Sequence, residues 1–140
     1  MRIEPAHLKD EEAVWRLTCE LEEATLPRET FCETYRSLLG ARGDHIFLLF
    51  DEEALGYVHL RIAPQLHHAA LIAEIQELVV APSCRGRGFG KALLSYALRF
   101  AGEHGACLAE LTSNFAREGA HRFYEREGFQ RTSYKFIRAL

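Results

Sequence analysis

The sequence predicts a mixed α/β domain (α+β mixed) built around one sheet, and three observations carry that prediction. Apolar residues recur at helical spacing in several segments, strand-like apolar runs lie between them, and a glycine-rich turn joins one such run to a helix after Pro82. The resulting order is β-α-α-β-β-β-α-β-α-β, with residues 1–140 forming a single domain.

Residues 1–4 read as a short strand. Residues 10–24 carry Val14, Leu17, Cys19 and Leu21 behind an acidic first turn, a helical pattern. Pro27 restarts the chain, and a second helix is expected over residues 28–39 with Gly40 as its stop. Two apolar runs, 45–50 and 55–62, flank the acidic turn Asp51-Glu52-Glu53-Ala54 and predict a β-hairpin. Residues 71–80 are apolar enough for a central strand. A helix from Lys91 to near Gly105 then leads to a strand over 106–111, a parallel unit whose crossover should be right-handed. Residues 117–126 read as helix, stopped by Gly128, and the alternation over 129–137 predicts a last strand.

Composition narrows the function. The chain has 140 residues, 48% of them apolar and 26% charged, without repeats or low-complexity tracts. A net charge of −3 argues against a nucleic-acid-binding surface. Cys19, Cys32, Cys84 and Cys107 have no metal-type spacing, and Met-Arg-Ile-Glu-Pro has no apolar signal core. A protein of the reducing cytoplasm is expected, and the apolar runs are too short to span a membrane.

The turn Arg85-Gly86-Arg87-Gly88-Phe89-Gly90-Lys91 opens a helix, where unpaired amides and the positive dipole end favour an anion. It is not a Walker loop, because Ala92 stands where the metal-binding hydroxyl should be. Nor is it a dinucleotide fingerprint, since Gly86, Gly88 and Gly90 are spaced by two throughout.

Taken with Asn114 past the next strand and Ala120-His121-Arg122-Phe123-Tyr124 with Gly128-Phe129 beyond it, this turn resembles the GNAT superfamily of acetyl-CoA-dependent N-acetyltransferases. The resemblance implies the GNAT acyl-CoA N-acyltransferase fold and acetyl-CoA as cosubstrate. It implies that the amides around Arg85, Gly86, Arg87, Gly88, Gly90 and Lys91 hold the pyrophosphate. Leu78, Val79 and Val80 would offer backbone groups to the pantetheine arm and the reacting carbonyl, Asn114 would contact the arm, and Tyr124 would give a proton to the leaving thiolate. The acceptor amine must lose a proton before it attacks, which calls for a base. Glu74 matches the basic glutamate of several such enzymes. On a regular strand Glu77 would point to the opposite face and be a solvated or ion-paired residue.

Residues 66–68, 74–80, 110–114 and 120–124, with Lys135-Phe136 and Ala139-Leu140, are similar to the aminoalkylphosphonate N-acetyltransferases, which implies a small aminoalkylphosphonate acceptor and association with a divalent metal. His59, His67, His68 and His121 are candidate metal ligands, although adjacent histidines on a loop are more often solvent-facing. Arg61 and Arg122 are alternative anion partners. Glu20, Glu22 and Glu23 keep another amine open: a polyamine, an aminoglycoside or a protein N-terminus. A non-catalytic acyl-CoA-binding regulator would need neither Glu74 nor Tyr124. Strand-mediated dimers are common among look-alikes, so the resemblance leaves a homodimer open, and the sequence does not fix the oligomeric state.

Overall fold

A computed structural model describes residues 1–140. Strand β1 (Arg2–Pro5) is followed by α1 (Glu11–Glu22) and α2 (Arg28–Leu39), then by β2 (Asp44–Asp51), β3 (Glu53–Gln65) and β4 (Ala70–Val80). Helix α3 (Phe89–Glu103), β5 (Leu108–Leu111) and α4 (Glu118–Arg126) complete the regular elements. The sheet order is β1-β2-β3-β4-β5, antiparallel except for the parallel β4–β5 pair. The expected helices, hairpin and strand–turn–helix–strand unit all form, with boundaries shifted by a few residues.

Burial on both faces of the sheet explains why β2, β3 and β4 read as near-continuous apolar runs. On one face Phe89, Leu93, Leu94, Ala97 and Ala101 of α3 pack on Phe47, Leu49, Val58, Leu60, Ala73 and Ile75. On the other, Val14 and Leu17 of α1 and Tyr35 of α2 pack on Ile46, Leu48, Tyr57 and Val79. The result is three layers, helix on sheet on helix.

Two departures matter. The last expected strand does not form: beyond Phe129 the chain has no regular structure, and Tyr134 and Phe136 stand 77% and 92% exposed. Alternation supplies a strand's side-chain pattern, but a strand also needs a neighbouring edge to bond to. The adjacent edge, β5, is only four residues long. Second, β4 is not regular. His59 pairs with Glu77 while Leu60 pairs with Ile75, so Gln76 is an extra residue, a β-bulge.

Candidate active site

The bulge decides which side chains share a face. Ala73 and Ile75 pack in the α3 core, and so do Leu78 and Val80, which means that the side-chain phase flips between them. Gln76 and Glu77 therefore both point away from α3. Glu74 lies on that same face, so the expectation that Glu74 and Glu77 oppose one another is corrected. Glu74 sits opposite Arg61 on β3 and Glu110 on β5, and Glu110 accepts a hydrogen bond from Gln65 at 2.9 Å. The amide nitrogen of Gln76 is buried without a partner, an unmet donor on this face.

Beyond Ile75 the strands part. β5 pairs with β4 only over Ile72–Ile75, whereas β3 stays paired with β4 up to Val80. The outer edge of β4 from Gln76 to Val80 is thus left without a strand. An extended ligand can hydrogen-bond to such an edge as an added strand does. Leu78, Val79 and Val80 all lie on this stretch, with the Val79 side chain buried against α1 and α2.

The same strand runs into the turn. After the short helical turn Pro82–Cys84, Arg85, Gly86, Arg87 and Gly88 are exposed. Gly86 and Gly88 have φ of 79° and 82°, a region closed to most side chains, and Gly88 caps α3. A Cβ on either would meet nothing within 4 Å, so the backbone angle rather than space requires glycine. Arg87 lies over the Phe89 ring at 4.7 Å and 3.9 Å from Asp51, and Lys91 is 3.9 Å from Glu127. Exposed amides, a helix N-terminus and three cations suit a pyrophosphate. Gly90 faces inward, where a Cβ would lie 3.8 Å from Val80 and 3.9 Å from Phe123.

Tyr124 is half-buried between Phe123 and Phe129, with ring centroids 5.3 and 5.9 Å away. Burial pushes its phenol up, opposed by the nearby Arg117 guanidinium, and so favours the proton-bearing form that a donor needs. Arg117 also donates to the Leu21 carbonyl at 3.1 Å, joining α4's start to α1. The Asn114 side-chain oxygen accepts from the Ala116 amide at 2.9 Å, so Asn114 shapes the entry to α4 and leaves its amide nitrogen for a ligand.

The expected metal ligands do not converge. His67 and His68 lie on an exposed turn with rings 4.3 Å apart, and His121 is hydrogen-bonded to the Asn114 carbonyl at 2.8 Å. His59 spends both ring nitrogens on Asp44 and Glu77, at 2.8 Å each. No three His, Cys, Asp or Glu side chains are grouped as a metal site would require, so these residues do not fit a preformed divalent-metal centre. Arg122 is exposed at the surface of α4. Sequence reading passed over Asp44, Gln76 and Arg117, because their placement depends on the bulge and on contacts between elements far apart in the chain.

Comparison with known proteins agrees with this architecture. The Acetyltransferase (GNAT) family matches residues 10–129. An aminoalkylphosphonate N-acetyltransferase of Salmonella typhimurium is 39% identical over 136 residues, spanning 96% of this chain and 88% of its own. An uncharacterized N-acetyltransferase of Bacillus subtilis is 30% identical over 109 residues, 77% of each chain. Among solved structures, a transcriptional regulator from Bacillus halodurans superposes with a TM-score of 0.90 at 21% identity, covering 99% of both chains. An aminoglycoside N-acetyltransferase in complex with CoA does so at 0.88 and 17%, covering 99% of this chain and 93% of its own. No helix is long and apolar enough to cross a membrane. With the family match running from α1 through the glycine turn to the end of α4, the chain belongs to the Acetyltransferase (GNAT) family and is an acetyl-CoA-dependent acyltransferase.

Proposed function

We propose that this enzyme acetylates the primary amine of a small aminoalkylphosphonate. The observation that carries the acceptor class is the 39% identity, over nearly the whole chain, to a relative with that activity. Charge near the reaction centre supports it. Arg117 stands close enough to Tyr124 to influence its phenol, at the junction of α1 and α4, and a guanidinium there can meet an anionic headgroup while the amine reaches inward. Acetyl-CoA lies with its pyrophosphate on the amides of residues 85–91 and its arm along the free edge of β4, reaching Asn114. Free cysteines at all four positions suit the reducing cytoplasm, where this cosubstrate is made.

In this reading Glu74 takes the proton of the acceptor's ammonium, directly or through a water. The freed amine attacks the thioester carbonyl, and a backbone N–H of Val79 or Val80 receives the developing oxyanion. Tyr124 then gives its proton to the departing thiolate. The second ammonium proton, acidic once nitrogen is bonded to the acetyl carbon, passes through water to the Tyr124 phenolate. CoA thus leaves as the thiol, Tyr124 is restored, and the one net proton goes from Glu74 to solvent. No covalent enzyme intermediate enters this route.

A second reading has one specific observation behind it: Glu74, Glu77 and Glu110 place three carboxylates on the acceptor face, which suits a polyamine or an aminoglycoside. The test is release of free CoA from acetyl-CoA with aminomethylphosphonate, 1-aminoethylphosphonate, spermidine and an aminoglycoside in parallel. Turnover of the phosphonates alone, weakened by Arg117→Ala through the acceptor's KM, is the expected result. Turnover of the cationic amines alone would replace the acceptor and leave the fold and chemistry standing. Binding of acetyl-CoA with no turnover of any amine would favour a regulator.

A further inference from the structure

His59 is the one buried residue outside the hydrophobic core set, 4% exposed, and it stands in an unusual place. Its ring lies between two carboxylates, Asp44 of β2 on Nε2 and Glu77 of β4 on Nδ1, at 2.8 Å each. A neutral imidazole has one N–H and would turn a lone pair toward one of these carboxylates. Only the imidazolium donates to both. Burial works against that charge, and the two hydrogen-bonded carboxylates outweigh it, so the His59 pKa is raised. The other ionisable groups around it are Arg61, which donates to Asp44 at 3.0 Å, His45 beside Asp44, and Tyr57, whose hydroxyl meets Thr18 of α1 at 2.7 Å near Glu22.

The two ends of this chain are unequal. The Asp44 side chain is 10% exposed and also holds Arg61, whereas the Glu77 side chain is 36% exposed and has His59 as its hydrogen-bond partner. Glu77 also sits at the bulge, on the acceptor face, beside the point where β5 leaves β4. One of its oxygens is taken by the imidazolium and the other is free for a ligand.

We infer that His59 is a positioning residue of the acceptor site: clamped by Asp44, it fixes the Glu77 carboxylate at the opening between β4 and β5, where Glu77 receives the acceptor's ammonium. The inference rests on the acetyltransferase reading and deepens it by separating two carboxylates, Glu74 for proton removal and Glu77 for holding the amine. It also sets a pH limit. When His59 loses its proton, one hydrogen bond must go. Asp44 is the more buried and keeps Arg61 besides, so Glu77 is the end released.

Steady-state kinetics of Glu77→Gln, His59→Gln and the double variant, measured across pH with the phosphonate acceptor, test this. Each single change should raise the acceptor's KM about tenfold and leave kcat and the KM for acetyl-CoA within about twofold, the size of one lost charge-assisted contact. The double variant should be no worse than the worse single one, because both act through one carboxylate. In the wild type the acceptor's KM should climb as His59 deprotonates, and Glu77→Gln should abolish that climb, which a merely structural role would not do. An unchanged KM in Glu77→Gln, or a fall in kcat at constant KM, overturns the inference. Glu77 is part-exposed, so that variant serves even where His59→Gln fails to fold. A wild type inactive on every amine would instead overturn the acetyltransferase reading. The clamp is then judged by nitrogen NMR of the His59 ring, where one ring proton rather than two at neutral pH overturns it.

Discussion

Replacing Gly56 with alanine tests how tightly β3 must approach β4. A Cβ there would lie 2.5 Å from the Val79 carbonyl oxygen, about 0.9 Å short of ordinary contact, with Leu93 Cδ1 at 3.1 Å and Val80 Cα at 3.4 Å. The leucine methyl can turn aside. The carbonyl belongs to the strand pair Gly56↔Val80 and Tyr57↔Val79 and cannot yield without moving β4. Crowding of this kind costs roughly 1–3 kcal/mol. Gly56 has no positive φ, so alanine also recovers about 0.4–1 kcal/mol through the unfolded chain. The net loss is about 1–2 kcal/mol, a fall in Tm of roughly 3–8 °C for a domain of this size. Urea unfolding should show a lower midpoint at unchanged slope. The KM for acetyl-CoA should rise with it, because the displaced Val79 and Val80 form the free edge of the strand. Gly102→Ala is the control: exposed in α3 with nothing within 4 Å, it should be neutral or stabilising by up to about 1 kcal/mol. A Gly56→Ala protein as stable as the wild type would refute the close approach.

Tyr124→Phe should lower kcat by about 100-fold or more while leaving acetyl-CoA affinity, read by calorimetry, unchanged. Equal loss of both would make the ring a packing residue. Gly88→Ala forces a Cβ onto a φ of 82° and should cost roughly 1–2 kcal/mol, with weaker CoA binding by calorimetry as the cap of α3 shifts. Burial beside Phe100 at 4.7 Å, with repulsion from His104, lowers the His45 pKa. Its contribution to stability is therefore present above about pH 6.5 and lost as pH falls through the lowered value. His59 has the opposite sign: its contribution is full below about pH 6.5 and lost as pH rises through the raised value. Denaturant midpoints across pH should show an acid decline that His45→Phe reduces and an alkaline decline that His59→Gln removes.

The glycine turn and the helix after it were legible because their signals are local: glycines at positive φ, a proline before them and a periodic run behind. The two-sided burial of β2 to β4 was legible for a similar reason, since unbroken apolar runs record it directly. Glu77 was misplaced because strand alternation is a local rule, and the bulge is set by pairing with β3, 18 residues upstream at His59. The tail shows the converse error. Residues 129–137 carry a strand's alternation, yet no edge long enough stands ready for them. His59 drew attention as a possible metal ligand, and its real partners, on β2 and β4, could be found only once the strands were side by side.

The extra residue at Gln76 gives β4 two reading frames. Before it, odd-numbered side chains face α3; after it, even-numbered ones do, and the acidic face changes frame at the same point. Loss of one residue at an end of the strand only trims it. Loss of Gln76 itself would erase the bulge and leave a regular strand, with Ala73, Ile75, Leu78 and Val80 still facing α3 and Glu74 and Glu77 still facing the other layer. What would go is the second of two neighbouring side chains on one face, the Gln76 amide, together with the local twist that a bulge adds to its strand. Strand length at this one position is thus a variable of the site alone: the helical layer on one side is indifferent to it, and the groups presented to the other side are not.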